Sequence, residues 1–177
     1  MEYLTPEKIK ILLDEFVQRL NELEITGNIF IIGGAAMSLA YLPDRRETVD
    51  IDALFPSDPR IDEIIKEINI REDISEKWIN NDAKLFIPFD HFGQWTLLFE
   101  RGGISVSVAK PEMLLAMKLS ADRGSRDRPD IEVLLNLCEV KTLEDAVEIF
   151  EKFRHQEVLK PKTEQFVRDW LAEQNQS

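Results

Sequence analysis

The chain has 177 residues, 44% of them hydrophobic and 32% charged, a balance that suits one ordinary folded domain with a real core and room for a helical extension. Thirty-four acids against 22 basic residues give a formal net charge of −12, which argues against a general DNA- or RNA-coating protein while allowing a local basic cleft for one nucleotide or an RNA end. Cys138 is the single cysteine and His91 and His155 the two histidines, so one chain can build neither a disulfide framework nor a Cys- or His-rich metal site, and any metal should be a hard, oxygen-liganded ion such as Mg²⁺.

The opening MEYLTPEKIK has no signal pattern and no apolar run approaches membrane-spanning length, so a cytoplasmic protein with no membrane partner is expected. Thr5-Pro6-Glu7 reads as a helix start: a capping hydroxyl, proline in the first turn, then an acid favoured by the helix dipole. Ile9, Leu12, Leu13, Phe16, Val17 and Leu20 follow at helical spacing, which predicts a core-facing helix ending near Gly27.

Next comes the stretch IFIIGGAAMSLAYLPDRRETVDIDALF, residues 29–55. An apolar strand, Ile29 to Ile32, stops at Gly33-Gly34 and passes into a short helix, Ala35 to Leu42. A polar connector then feeds a second strand that carries Asp50 and Asp52. Side chains alternate across a strand, so Val49, Ile51, Ala53 and Phe55 should pack inward while Asp50 and Asp52 project together from the other side. Two neighbouring carboxylates repel, and a divalent cation between them would relieve the repulsion. The glycines tolerate positive φ and a close ligand, and the helix after them offers unpaired N–H groups to a phosphate. A phosphate cradle one strand from an acid pair is the minimum equipment for handling a nucleoside triphosphate. Taken singly, the glycines also read as a tight turn and the acids as a solvated strand face.

In PSDPRIDEIIKEINI, Ser57 or Asp58 can cap a helix with Pro59 in its first turn, and Ile61, Ile64, Ile65 and Ile68 form its sheet-facing stripe. Between Arg71 and Pro88 the pattern weakens, leaving Asn81 and Asp82 either reaching toward the site or capping a short helix. Gln94 to Glu100 and Ile104 to Ala109, around Arg101-Gly102-Gly103, predict an antiparallel hairpin whose second strand offers only Ser105 and Ser107 as polar groups.

Pro111 opens an apolar helix that contains Lys118, with Gly124 expected to end it as a left-handed cap and Asp127 or Asp130 to start the next. Lys118 either faces a ligand or snorkels to solvent, and Asp127 with Asp130 either serves the site or forms a capping pair. Arg123, Arg126 and Arg128 either hold polyphosphate or RNA oxygens or pair with Glu139 and its neighbours. Thr142 to Asp145 reads as a capping box before a face of Ala146, Ile149, Phe150 and Phe153, and a last helix from about Pro161 buries Phe166, Val167, Trp170 and Leu171.

The segment IIGGAAMSLAYL…RRETVDIDALF resembles the polymerase-β-like nucleotidyltransferase superfamily, and within it the branch of AbiEii-type abortive-infection toxins and their uncharacterised bacterial relatives. That branch shows GG followed by a small hydroxyl residue, then R-x-T-x-D-x-D. The second element is intact as Arg46, Thr48, Asp50 and Asp52, whereas Ala35 stands where Ser or Thr is usual and removes one phosphate hydrogen bond. Trp78 to Asp82 resembles a W-h-N-D segment of the same relatives. The third strand acid frequent in the superfamily is absent, as it tends to be in this branch. A lysine-bearing helix and an R-D-x-x-D turn complete the branch's site, and these match Lys118, Asp127 and Asp130.

The resemblance implies an α/β (α+β) fold: a nucleotidyltransferase-type small mixed sheet of four or five strands flanked by helices over residues 1–110, then a mostly helical part over 111–177 that completes the active site. It implies a metal-dependent nucleotidyltransferase that moves an NMP from an NTP to a hydroxyl of RNA (a tRNA end) or protein, as the toxin of a toxin–antitoxin pair with a cognate antitoxin as partner. Asp50 and Asp52 would hold Mg²⁺, with Mn²⁺ as a substitute; Asp50, Asp52, Lys118 and Asp130 would be catalytic. Gly33, Gly34, Ala35, Arg46, Lys118 and Arg126 would bind nucleotide. The alternative is a catalytically inactive nucleotide-binding or regulatory module of the same fold, motivated by Ala35 and the missing strand acid.

Overall fold

The structure is a computed structural model that describes residues 3–44, 47–88 and 93–174. Among them the chain forms five strands in one mixed sheet, with α-helices before, between and after the strands. The elements divide into two compact units, one from the residues up to Ile87 together with Trp95–Ala109, the other from Pro88–Gln94 together with the residues from Lys110 on.

The first unit holds the sheet. Helix α1 (Pro6–Glu22) starts at Thr5, whose Oγ1 accepts the Lys8 N–H at 3.1 Å, and its six expected apolar positions are all buried. Strand β1 (Gly27–Ile31) leads into α2 (Gly33–Ala36), which continues as a π-helical turn over Met37–Tyr41. Strand β2 (Ile51–Leu54) follows, then α3 (Arg60–Glu72), strand β3 (Ile79–Asn80), a 3₁₀ segment (Asp82–Phe86), and strands β4 (Trp95–Arg101) and β5 (Ile104–Ala109). The strand order is β3-β2-β1-β5-β4. β1 lies antiparallel to β2 and parallel to β5, β2 parallel to β3, and β4 antiparallel to β5 with an irregularity between Leu97 and Phe99.

Register gives the sheet two unlike faces. Ile29 and Ile31 of β1 share a face with Ile51 and Ala53 of β2, Ile79 of β3, and Ile104, Val106 and Val108 of β5, and every one of them is buried. Phe16 of α1 meets Phe55 and Trp78 edge-on at 6.0 and 5.9 Å, and the Trp78 indole N–H donates to the Ile65 carbonyl of α3. The other face carries Asn28, Phe30, Asp52, Leu54, Asn80, Ser105 and Ser107, where polar groups alternate with half-buried apolar ones. Alternation along short strands therefore concentrates the sheet's polar chemistry on one side.

The second unit is helical: α4 (Pro111–Ala121), a 3₁₀ turn (Gly124–Arg126), α5 (Arg128–Leu137), α6 (Leu143–Phe153) and α7 (Pro161–Gln174). Thr142 and Asp145 form the expected capping box at α6. One boundary in this unit differs from expectation. Asp122, not Gly124, ends α4: it takes φ +27 while its carboxylate accepts the Gly124 N–H at 3.2 Å and the Thr163 hydroxyl at 3.0 Å. Gly124, at φ +65, instead opens the 3₁₀ turn, and of the two acids offered as the start of α5, Asp127 takes the N-cap position.

Candidate active site

In the first unit the chain turns from β1 into α2 at the mouth of the acid-bearing strand. Ile32 is extended, and its N–H donates to the Asp52 carbonyl at 2.9 Å, carrying the β1–β2 pairing one residue past the strand. Gly33 then takes φ +64, and a Cβ placed on it would lie 3.1 Å from Asp52 Oδ2. Glycine is thus needed here twice over, for a backbone conformation that side chains disfavour and for the approach of the backbone to a carboxylate. Gly34 lies inside the helical turn, and its carbonyl accepts the buried Ser38 hydroxyl at 3.1 Å. Ala35 is buried to 1% exposure, so any part it takes in binding falls to its backbone.

Asp50 stands just before β2, and Asp52 within it. Ile51 and Ala53 are buried while Asp50 and Asp52 are half-buried, the alternation expected within the strand, whereas Val49 and Phe55, expected inward at its ends, are half-buried too. The approach to Asp50 is fixed from the other end of the unit. Thr48 and Leu4 exchange backbone hydrogen bonds at 2.6 and 3.1 Å, and the Thr48 hydroxyl donates to the Asp50 carbonyl at 3.3 Å. Thr48 therefore sets the backbone that presents the acid. Arg46 lies outside the described residues.

β3 brings a residue that sequence reasoning passed over. Asn80 pairs in register with Asp52, is buried to 8% exposure, and places Nδ2 at 3.4 Å from Asp50 Oδ2. The two neighbours considered from sequence stand elsewhere: Asn81 precedes the 3₁₀ segment without a side-chain cap, and the Asp82 carboxylate pairs with Lys77 at 2.7 Å on the surface. The available signal was the spacing of Asn80 and Asp82, which suits an Asx turn.

The donor set fits a hard divalent cation. Asp50 and Asp52 supply carboxylate oxygens, the chemistry Mg²⁺ prefers, and the bare backbone of Gly33 stands beside Asp52 Oδ2, where a Cβ would lie 3.1 Å away. No group of three or more His, Cys, Asp or Glu side chains suited to a metal occurs among the described residues. A two-carboxylate site completed by water and phosphate oxygens is the usual arrangement for Mg²⁺.

In the second unit, Lys118 is 5% exposed and does not snorkel. Its ammonium lies 2.8 Å from Asp127 Oδ1 and 2.8 Å from Asp130 Oδ2, both acids being buried. Asp127 also accepts the Arg123 backbone N–H at 2.9 Å and the Arg123 guanidinium at 2.8 and 2.9 Å. Burial alone would raise the Asp127 pKa, but hydrogen bonds from Arg123 and Lys118 outweigh it and hold the carboxyl well below the usual carboxylate range. Arg128 stands 3.9 Å from Asp122 and stacks over Phe166 at 4.6 Å, while Arg126 is exposed. Arg123 and Arg128 thus partner acids of their own loop.

Among the described residues, one cleft of about 570 Å³ is lined in part by Ile79, Asn80 and Asn81. Another of about 900 Å³ is lined by Lys10, Ile11, Leu39, Phe99 and Arg101 among others, and none of the candidate site residues lines it.

The family described as nucleotidyltransferase of unknown function (DUF6036) matches residues 8–176. Among solved structures, an antigenic nucleotidyltransferase-like protein from Paracoccidioides brasiliensis is similar over 94% of this chain and 95% of its own, at 17% identity and a TM-score of 0.50, a likeness of fold. No curated protein gives a significant match.

Proposed function

The chain belongs to this nucleotidyltransferase family of unknown function, and from that premise we propose that it transfers a nucleoside monophosphate from an NTP to an acceptor hydroxyl, releasing pyrophosphate. The observation that carries the proposal is the contact between the glycine bend and the acid strand, Gly33 standing where any side chain would crowd Asp52 Oδ2. It sets the start of α2, where backbone N–H groups can receive phosphate oxygens, beside carboxylates suited to a cation.

In this reading Asp50 and Asp52 hold Mg²⁺ or Mn²⁺. The ion, when bound, lowers the acceptor hydroxyl's pKa and neutralises polyphosphate charge. Gly33 and Gly34 let the phosphates approach the backbone, and Ala35 offers only its amide. The resemblance assigns Lys118 to the charge that moves toward the pyrophosphate leaving group and Asp130 to the acceptor's proton. For those roles the Lys118–Asp130 ion pair must open or be shared with the substrate, since each now neutralises the other at 2.8 Å. Arg126 and Arg46 supply further cations for phosphate oxygens. The resemblance to AbiEii-type toxins extends the proposal to a tRNA end or protein as acceptor, an antitoxin as partner and the cytoplasm as location.

One arrangement favours a second reading, a nucleotide-binding module without turnover: β5 offers Ser105 and Ser107 where a third strand acid would stand, with the Ser105 hydroxyl donating to Asn28 at 2.6 Å. Incubation with labelled NTPs, Mg²⁺ and total RNA separates the two. Transfer of label that disappears in Asp50→Asn supports the enzyme. NTP-dependent thermal stabilisation without transfer supports the module, and neither effect contradicts both.

A further inference from the structure

We propose that Asn80 is a positioning residue that orients the Asp50 carboxylate toward the bound cation, an inference that rests on the reading of Asp50 and Asp52 as cation ligands. The two halves of its amide do different work. Oδ1 accepts the Asp82 N–H at 3.0 Å, closing an Asx turn that starts the 3₁₀ segment. With the oxygen so engaged, the Nδ2 group must face the other way, and there it meets Asp50 Oδ2 and the Lys77 carbonyl, each at 3.4 Å.

The turn alone does not require asparagine. Aspartate or serine closes the same kind of turn with its own side-chain oxygen. Aspartate, however, would set a third negative charge against Asp50, and serine is too short to bridge to it. Only the amide both accepts from the turn and donates to the acid. Its surroundings hold it in that pose: Asn80 is 8% exposed, and β3 is paired to β2 through Ile51–Ile79 and Asp52–Asn80. The Ile51 N–H also donates to the Trp78 carbonyl at 2.7 Å, so the segment bearing Asn80 is tied to the strand bearing the acids. A donor fixed in this way restrains the Asp50 carboxylate, as outer-shell partners of metal ligands do.

The test is a Mn²⁺ titration, with free ion followed by its electron paramagnetic resonance signal, on the wild type, Asn80→Ser and Asp50→Asn. Thermal unfolding in EDTA is recorded alongside. Asn80→Ser keeps an oxygen for the turn and removes the donor. It should unfold at the wild-type temperature without metal yet bind Mn²⁺ about 10- to 100-fold more weakly, the range typical of lost outer-shell partners. Asn80→Thr, which keeps the same oxygen on a better strand former, should do the same and serves if serine fails to fold. If the wild type binds and both variants bind equally well, the positioning role is overturned while the cation site stands. A wild type that binds no Mn²⁺ overturns the cation site and the positioning role together.

Discussion

At φ +64, Gly33 lies in the left-handed region, and a methyl group there would come within 3.1 Å of Asp52 Oδ2. The backbone conformation alone costs a non-glycine residue about 1–2 kcal/mol, and the crowding adds displacement of the carboxylate. Gly33→Ala should therefore lose about that much stability in urea unfolding. Its Mn²⁺ affinity should fall as well, although the alanine contributes no ligand and removes none. A variant with wild-type stability and wild-type Mn²⁺ affinity would show that the bend does not shape the acid site. Thr48 illustrates the same economy at a smaller scale, its backbone paired with Leu4 and its hydroxyl held to the Asp50 carbonyl.

The junction between α4 and α5 behaves as one electrostatic element. Asp127 is buried completely, yet its carboxyl stays ionised far into acid because Arg123 and Lys118 hydrogen-bond the charged form more strongly than burial opposes it. A carboxyl whose folded pKa lies below its unfolded value stabilises the fold above the unfolded value, near pH 4, and loses that contribution as pH falls toward the folded pKa. Unfolding free energy should therefore drop as pH is lowered from about 5 to 2. In Lys118→Met, removal of one partner from a buried ion cluster should cost about 3–5 kcal/mol at neutral pH, with the acid slope shallower than in the wild type. An unchanged slope would mean that Lys118 does not hold Asp127 in its charged form. The helices of both units were legible from sequence because caps and apolar periodicity are local: Thr5, Thr142 and the stripe of α1 all stand as read. The ending of α4 was not legible. Asp122, at the end of α4, accepts the hydroxyl of Thr163, 41 residues away, a partner that no local pattern announces. β3 escaped for the same reason, being two residues long and defined by its pairing to β2 rather than by its own alternation.

Across the whole chain, two readings met different fates for physical reasons. The acid strand and glycine bend were legible because period-two alternation and a forced positive φ both leave marks in sequence, and the β1–β2 pairing then sets Asp52 opposite Ile32, one residue before Gly33. For Asn80 the spacing to Asp82 marks only a turn, and its approach to Asp50 is a product of the β2–β3 register. The net charge of −12 means that an acceptor gains little from the molecule's overall field, and Arg123 and Arg128 are committed to acids of their own loop. Recognition must then come from contacts at the site. The polar face of the sheet, with Asp52, Asn80 and Phe30 on adjacent strands, is where such contacts would form in the first unit.

The claim on which the account turns is that Asp50 and Asp52, at the glycine bend, support nucleotidyl transfer. Parallel reactions with α-labelled and γ-labelled NTP test it most directly, run with Mg²⁺ on the wild type and on Asp52→Asn. The wild type should place α-label on the acceptor and release γ-label as pyrophosphate, and Asp52→Asn should give neither product. Equal transfer by Asp52→Asn, or γ-label on the acceptor in place of α-label, would contradict it.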